Sequence, residues 1–181
     1  MIYVFLANGF EEIEALAPVD FLKRAGVEVK TVGVSGKICQ GAHGINVEAD
    51  ILKEDISLNE NLRGVILPGG MPGADNLDKC ETVQKAVDYC VENGKIVSAI
   101  CAAPFILGKK GILKGKKATC FPGFEEYLEG AEVLPNGVVT DGNIITAKGA
   151  GVAWEFGAEI AQKLIGKEKS DEILRGIQWR K

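Results

Sequence analysis

Histidine is nearly absent from this chain of 181 residues: His43 is the only one, beside two methionines and two tryptophans. The five cysteines, Cys39, Cys80, Cys90, Cys101 and Cys120, form no C-x-x-C pair. With one imidazole and no such pair, the ligand spacing for structural zinc is missing, so reduced thiols and no metal or other cofactor are expected. A basic field is missing too. Lys and Arg number 21 against 25 Asp and Glu, a net charge of -4, and the cations are scattered among acids. Neither a nucleic acid nor a membrane surface is therefore an expected partner. No apolar run reaches the length that spans a bilayer, and the start "MIYVFLANGFEEIEA" lacks the basic n-region of a signal peptide. These absences point to the cytoplasm.

What the chain does have is a composition of 46% hydrophobic and 25% charged residues, which suits one domain, residues 1–181, with a full core. Short apolar runs alternate with helical patterns: "IYVFLA", a helix over Glu11 to Ala25, "VEVKTVGV", "GVILPGG", a helix near Thr82 to Asn93, then "KIVSAI". That order reads as repeated β-α units around a buried parallel sheet. Near the end, Asp141-Gly142 between two β-branched runs signals a hairpin, and an amphipathic helix runs from about Gly151 to Ile165, stopped by Gly166. The expected fold is an α/β/α sandwich in three layers. In such sheets ligands bind where the strand-to-helix loops gather, at the carboxyl ends of the strands. Three of those loops carry unusual residues: "ANGFEEIE", "PGGMPGAD" and "ICAAP".

In "VSAICAAPFIL" a strand turns into a helix that opens near Ala103-Pro104. Small neighbours, Ala99, Ala102 and Ala103, let the backbone bend sharply and expose Cys101, as at the elbow of hydrolases. The helix N-terminus would then favour thiolate over thiol. The alternative is a small buried core cysteine. The two glycines of "LPGGMPGAD" let Gly70 and Ala102 offer backbone N–H groups as an oxyanion hole; a turn requiring positive φ explains them as well. Glu11 and Glu12 fit a first helical turn whatever their function. Glu14 begins the apolar stripe of Ala17, Pro18 and Phe21, so it faces inward, where burial raises a carboxyl pKa and suits it to proton transfer.

Together "NGFEEIEALAPVDFLKRAG", "VILPGGMPGADNL", "VSAICAAPFIL" and "IITAKGAGVAWEFGAEIAQKLIGKE" resemble the ThiJ/PfpI superfamily, in the branch of the parkinsonism-associated protein deglycase and its bacterial relatives. The resemblance runs in order through nearly the whole chain. It implies a flavodoxin-like sandwich, a homodimer, and a reactive Cys101 on a nucleophile elbow, hydrogen-bonded to Glu14 and faced by the amides of Gly70 and Ala102. It also implies cofactor-free chemistry on small reactive carbonyls: isomerisation of methylglyoxal to lactate, or removal of early glyoxal adducts. The alternative it carries is a non-catalytic redox sensor or chaperone that works through oxidation of Cys101.

Two residues depart from the pattern. The peptidase branch has histidine after the cysteine, where this chain has Ala102, so proteolysis is disfavoured. The carbonyl-active branch has histidine before a proline in the next strand, where "KKATCFPGF" presents Phe121. A second proton carrier is thus missing. His43, flanked by glycine, reads as a solvated loop residue or dimer contact. Cys120 reads as a strand cysteine facing the core, or else a redox partner of Cys101. Trp154 and Phe156 read as packing under the site.

Overall fold

The computed structural model describes residues 1–179. In chain order the elements are β1 (Ile2–Leu6), α1 (Glu12–Arg24), β2 (Val29–Gly33), β3 (Ile38–Gln40), β4 (Asn46–Glu48), β5 (Ile51–Leu52), β6 (Gly64–Leu67), α2 (Gly73–Asp78), α3 (Glu81–Glu92), β7 (Ile96–Ile100), α4 (Pro104–Lys109), β8 (Lys117–Ala118), β9 (Glu132–Val133), β10 (Val138–Asp141), β11 (Ile144–Ala147), α5 (Ala153–Ile165) and α6 (Lys167–Gly176). Seven strands form the central sheet in the order β10-β11-β7-β6-β1-β2-β5, and only the β10–β11 pair is antiparallel.

The central strands β1, β6 and β7 are apolar and buried along their whole length because both faces of the sheet are covered. Alternate residues divide between two cores. Tyr3, Phe5, Val65, Leu67 and Val97 pack under α2, α3 and α4. Ile2, Val4, Leu6, Ile66 and Ile100 pack under α1 and α5. Full burial of a side chain such as Phe5, Phe21 or Phe156 contributes about 1.5–3 kcal/mol. The two helices of the second core approach closely at Gly157, where an added Cβ would sit 3.0 Å from Pro18 Cα.

The expected α/β/α sandwich, its helices and the hairpin at Asp141-Gly142 are all present. The β3–β4 hairpin, the short parallel pair β8–β9 and the helix α6 are additions, in segments too short or too polar to announce themselves by periodicity. One placement differs. The strand expected through "KKATCFPGF" ends at Ala118, so Phe121 lies in a turn, 47% exposed, where no alternation buries it.

Candidate functional site

The carboxyl ends of β1, β6 and β7 lie side by side, so the loops after them meet at one edge of the sheet. Cys101, directly after β7, has φ 63°, a left-handed conformation that an L side chain adopts only under restraint. The restraints are visible: Cys101 N–H donates to Ala147 O at 2.8 Å, and Phe121 N–H donates to Cys101 O at 2.8 Å. Ala102 and Ala103, the residues that follow, are buried. The result is a nucleophile elbow with a half-buried thiol.

Glu14 is 1% exposed on the inward face of α1. Its Oε2 accepts from Gly69 N–H at 3.0 Å, its carboxyl also accepts from Ala150 N–H, and it is hydrogen-bonded to Cys101. Glu11 caps the helix by accepting from Glu14 N–H at 2.7 Å. The backbone N–H groups of Gly70 and Ala102 both point at Cys101 Sγ. Thus Glu14 and the backbones of Gly70 and Ala102 converge on Cys101. Gly69 is a fifth member that the sequence reading passed over. A Cβ there would lie 2.6 Å from both Cys101 Cβ and Glu14 Oε2, so only glycine admits the pair. The doublet Gly69-Gly70 in "LPGGMPGAD" is the sequence signal for it.

The electrostatics differ from the expected resting thiolate. Burial, followed by the Glu14 charge and hydrogen bond, pushes the Cys101 thiol up to about 12, against the opposing N–H groups of Gly70 and Ala102. The helix α4 is six residues long and begins three residues past the sulfur, too small and distant a dipole to reverse this. Burial, reinforced by the Glu11 charge, raises Glu14 to about 7 despite hydrogen bonds from Cys101, Gly69 and Ala150. The two groups titrate as a unit. The hydrogen bond between them places Glu14 to take the sulfur's proton.

Glu12 lies in the first turn of α1 as its position suggests, and it is also 3% exposed. Its Oε1 accepts from His43 N–H at 2.8 Å and its Oε2 meets His43 Nδ1 at 2.7 Å. His43 is therefore the exposed half of a clamp that ties the turn between β3 and β4 to the start of α1. Glu11, Glu12 and His43 bring ligand-type atoms within 4.8 Å of one another, but the Glu12 oxygens are already engaged by that turn. Cys120 is buried among core residues, and Phe156 is buried while Trp154 packs partly against the same core.

An α/β sandwich with a cysteine at the elbow after a central strand and a buried carboxyl against its sulfur defines the class of cysteine-elbow α/β proteins. Residues 1–163 match the DJ-1/PfpI family, and the chain belongs to it. It is 34% identical to the protein dj-1beta of Drosophila melanogaster, covering 96% of this chain and 94% of that one. It is 32% identical to the glutathione-independent glyoxalase DJR-1.2 of Caenorhabditis elegans, covering 92% and 89%. Protein DJ-1 homolog B of Arabidopsis thaliana is 37% identical over 93% of this chain, which spans only 39% of that protein; for homolog A of the same plant the span is 44%. The oxidised DJ-1 of Toxoplasma gondii superposes with a TM-score of 0.94 at 31% identity, over 99% of this chain and 98% of that one. Among the described residues no helix is long and apolar enough to cross a membrane.

Proposed function

We propose that the chain is a cysteine-dependent, cofactor-free glyoxalase or deglycase of the cytoplasm, acting on methylglyoxal or on glyoxal adducts. The observation that carries this reading is the hydrogen bond between Cys101 and the buried Glu14 beneath two convergent N–H groups. In the reaction, Cys101 Sγ adds to the aldehyde carbon of methylglyoxal while its proton passes to Glu14. The carbonyl oxygen becomes an oxyanion facing Gly70 and Ala102 N–H. Glu14 returns that proton to the oxygen, then removes the proton on the former aldehyde carbon and delivers it to the neighbouring carbon, while the hydroxyl proton of the first carbon passes to the oxygen of the second. The first carbon is oxidised to a thioester and the second reduced to an alcohol, so no external oxidant is needed. Water hydrolyses the thioester, releasing lactate and restoring the thiol.

The name of the nematode relative supports the glyoxalase reading. The absence of a histidine at position 121 leaves Glu14 as the sole proton carrier, which favours a slow enzyme. A redox-sensing role has its own support in the oxidised state of the Toxoplasma gondii structure and in the partial exposure of Cys101. A homodimer is also part of the proposal: Ile13, Ile38 and Ile45 are each more than half exposed on α1, β3 and the turn between β3 and β4.

Incubation of the purified chain with methylglyoxal, with lactate assayed enzymatically, tests the enzyme reading. Lactate formation that Cys101→Ala abolishes is the expected result. Product no greater than that of Cys101→Ala contradicts it.

A further inference from the structure

Phe121 lies in a turn, 47% exposed, tethered to the elbow by its N–H bond to Cys101 O. It borders a cleft of about 410 Å³ whose other walls are Pro122, Lys148, Gly149, Ala150, Gly151 and Val152. The cleft lies beside the reacting pair: Ala150 on its wall donates its N–H to the Glu14 carboxyl. An atom in the Cβ position of Gly149 would lie 3.5 Å from Phe121 Cδ2 and 3.9 Å from Glu14 Oε1. Phe121 and Glu14 thus flank the same glycine. Gly149, having no side chain, keeps that space open, and its φ of 161° is extended backbone that any residue adopts.

From this placement we infer that Phe121 is a specificity-determining residue, and that it selects α-oxoaldehydes bearing a flat or branched apolar substituent over glyoxal itself. The inference rests on the reactive-carbonyl reading of Cys101. With the aldehyde carbon on Sγ and its oxygen toward Gly70 and Ala102, the substituent beyond the second carbonyl has the ring of Phe121 to lie against. An apolar face recognises area and shape, and stacking on an aromatic ring favours a planar group. A hydrated glyoxal has nothing to offer that wall.

The probes are phenylglyoxal and glyoxal, and the readout is the ratio of their kcat/KM values. The wild-type chain should favour phenylglyoxal by about tenfold or more, the discrimination typical of an apolar pocket that gains a substituent. Phe121→Ala should bring the ratio close to one. Gly149→Ala should do the same by occupying the shared space, and its methyl meets only ordinary van der Waals neighbours, so folding is retained. A wild-type ratio near one, or a ratio unchanged in both variants, overturns the inference while leaving the glyoxalase reading intact.

If neither aldehyde is turned over, the same question is put to the thiol alone. Alkylation of Cys101 by phenacyl bromide and by bromoacetone is followed by peptide mass mapping, each rate normalised to that of glutathione. Each reagent forms a carbon–sulfur bond and releases bromide, so no turnover is needed. Preference for the phenacyl reagent in the wild type, lost in Phe121→Ala, upholds Phe121 as the selecting residue even as the missing turnover sinks the enzyme reading. Equal normalised rates overturn it.

Discussion

Glu14 reaches Cys101 from a different element, and Gly69 holds both: its N–H binds Glu14 Oε2 at 3.0 Å, and its missing side chain leaves room for the sulfur-bearing Cβ. On the proposed function, the reactivity of the thiol is a property of the pair.

The Glu14 charge and hydrogen bond both raise Cys101. Glu14→Gln removes the charge and should shift the pH profile of Cys101 alkylation by iodoacetamide toward lower pH. Peptide mapping distinguishes Cys101 from the buried Cys39, Cys90 and Cys120. A profile that stays in place or moves upward would show that Glu14 does not control the thiol.

Gly69→Ala should be far more damaging than its chemistry suggests. The new methyl would lie 2.6 Å from Cys101 Cβ and from Glu14 Oε2, so the pair must separate. Overpacking of this kind lowers stability by about 1–3 kcal/mol, read from urea unfolding. Activity on methylglyoxal should fall by about 10²-fold, because the reacting groups are displaced by about an ångström.

The Glu12–His43 clamp has a pH window. The hydrogen bond and charge of Glu12 raise His43 above its ordinary 6.5, so the clamp stabilises below that value and weakens as pH rises through the folded value. Burial opposes ionisation of Glu12, but hydrogen bonds from His43, its own backbone and Ile45 bring its pKa below the ordinary 4.5, so the contribution is also lost in acid. The difference in urea midpoint between wild type and His43→Ala should be greatest between pH 4.5 and 6.5 and shrink above it. A difference independent of pH would mean that the contact is held by packing alone.

Phe156 is fully buried between the sheet and α1. Phe156→Ala should lower stability by about 3–5 kcal/mol in denaturant unfolding, because the cavity at the tightly packed α1–α5 contact cannot collapse. A loss below about 1 kcal/mol would mean the core relaxes around it.

The sheet was legible in the sequence because buried parallel strands such as "VILP" and "IVSAI" are unbroken apolar runs. Glu14 was legible because it begins an apolar stripe, and Cys101 because small residues surround it. The protonation state was not legible. It depends on burial and on a carboxylate brought from another loop, neither of which is written at position 101. His43 and Glu12 are 31 residues apart, and nothing in the spacing of "QGAHGIN" shows that its turn folds back on α1. Phe121 was legible as a departure from the family pattern, but its exposed position in a turn was not, since "ATCF" reads equally well as a strand.

The proton shared by Cys101 and Glu14 is tested most directly by the pH dependence of kcat/KM for lactate formation from methylglyoxal, in the wild type and in Glu14→Gln. The wild-type value should rise with pH through about 7, as the Glu14 carboxyl gives up its proton and becomes the base. Glu14→Gln should lose about 10²–10⁴ in rate and the rise with it. A variant that keeps both the rate and the pH profile of the wild type would contradict the role of Glu14 in the reaction.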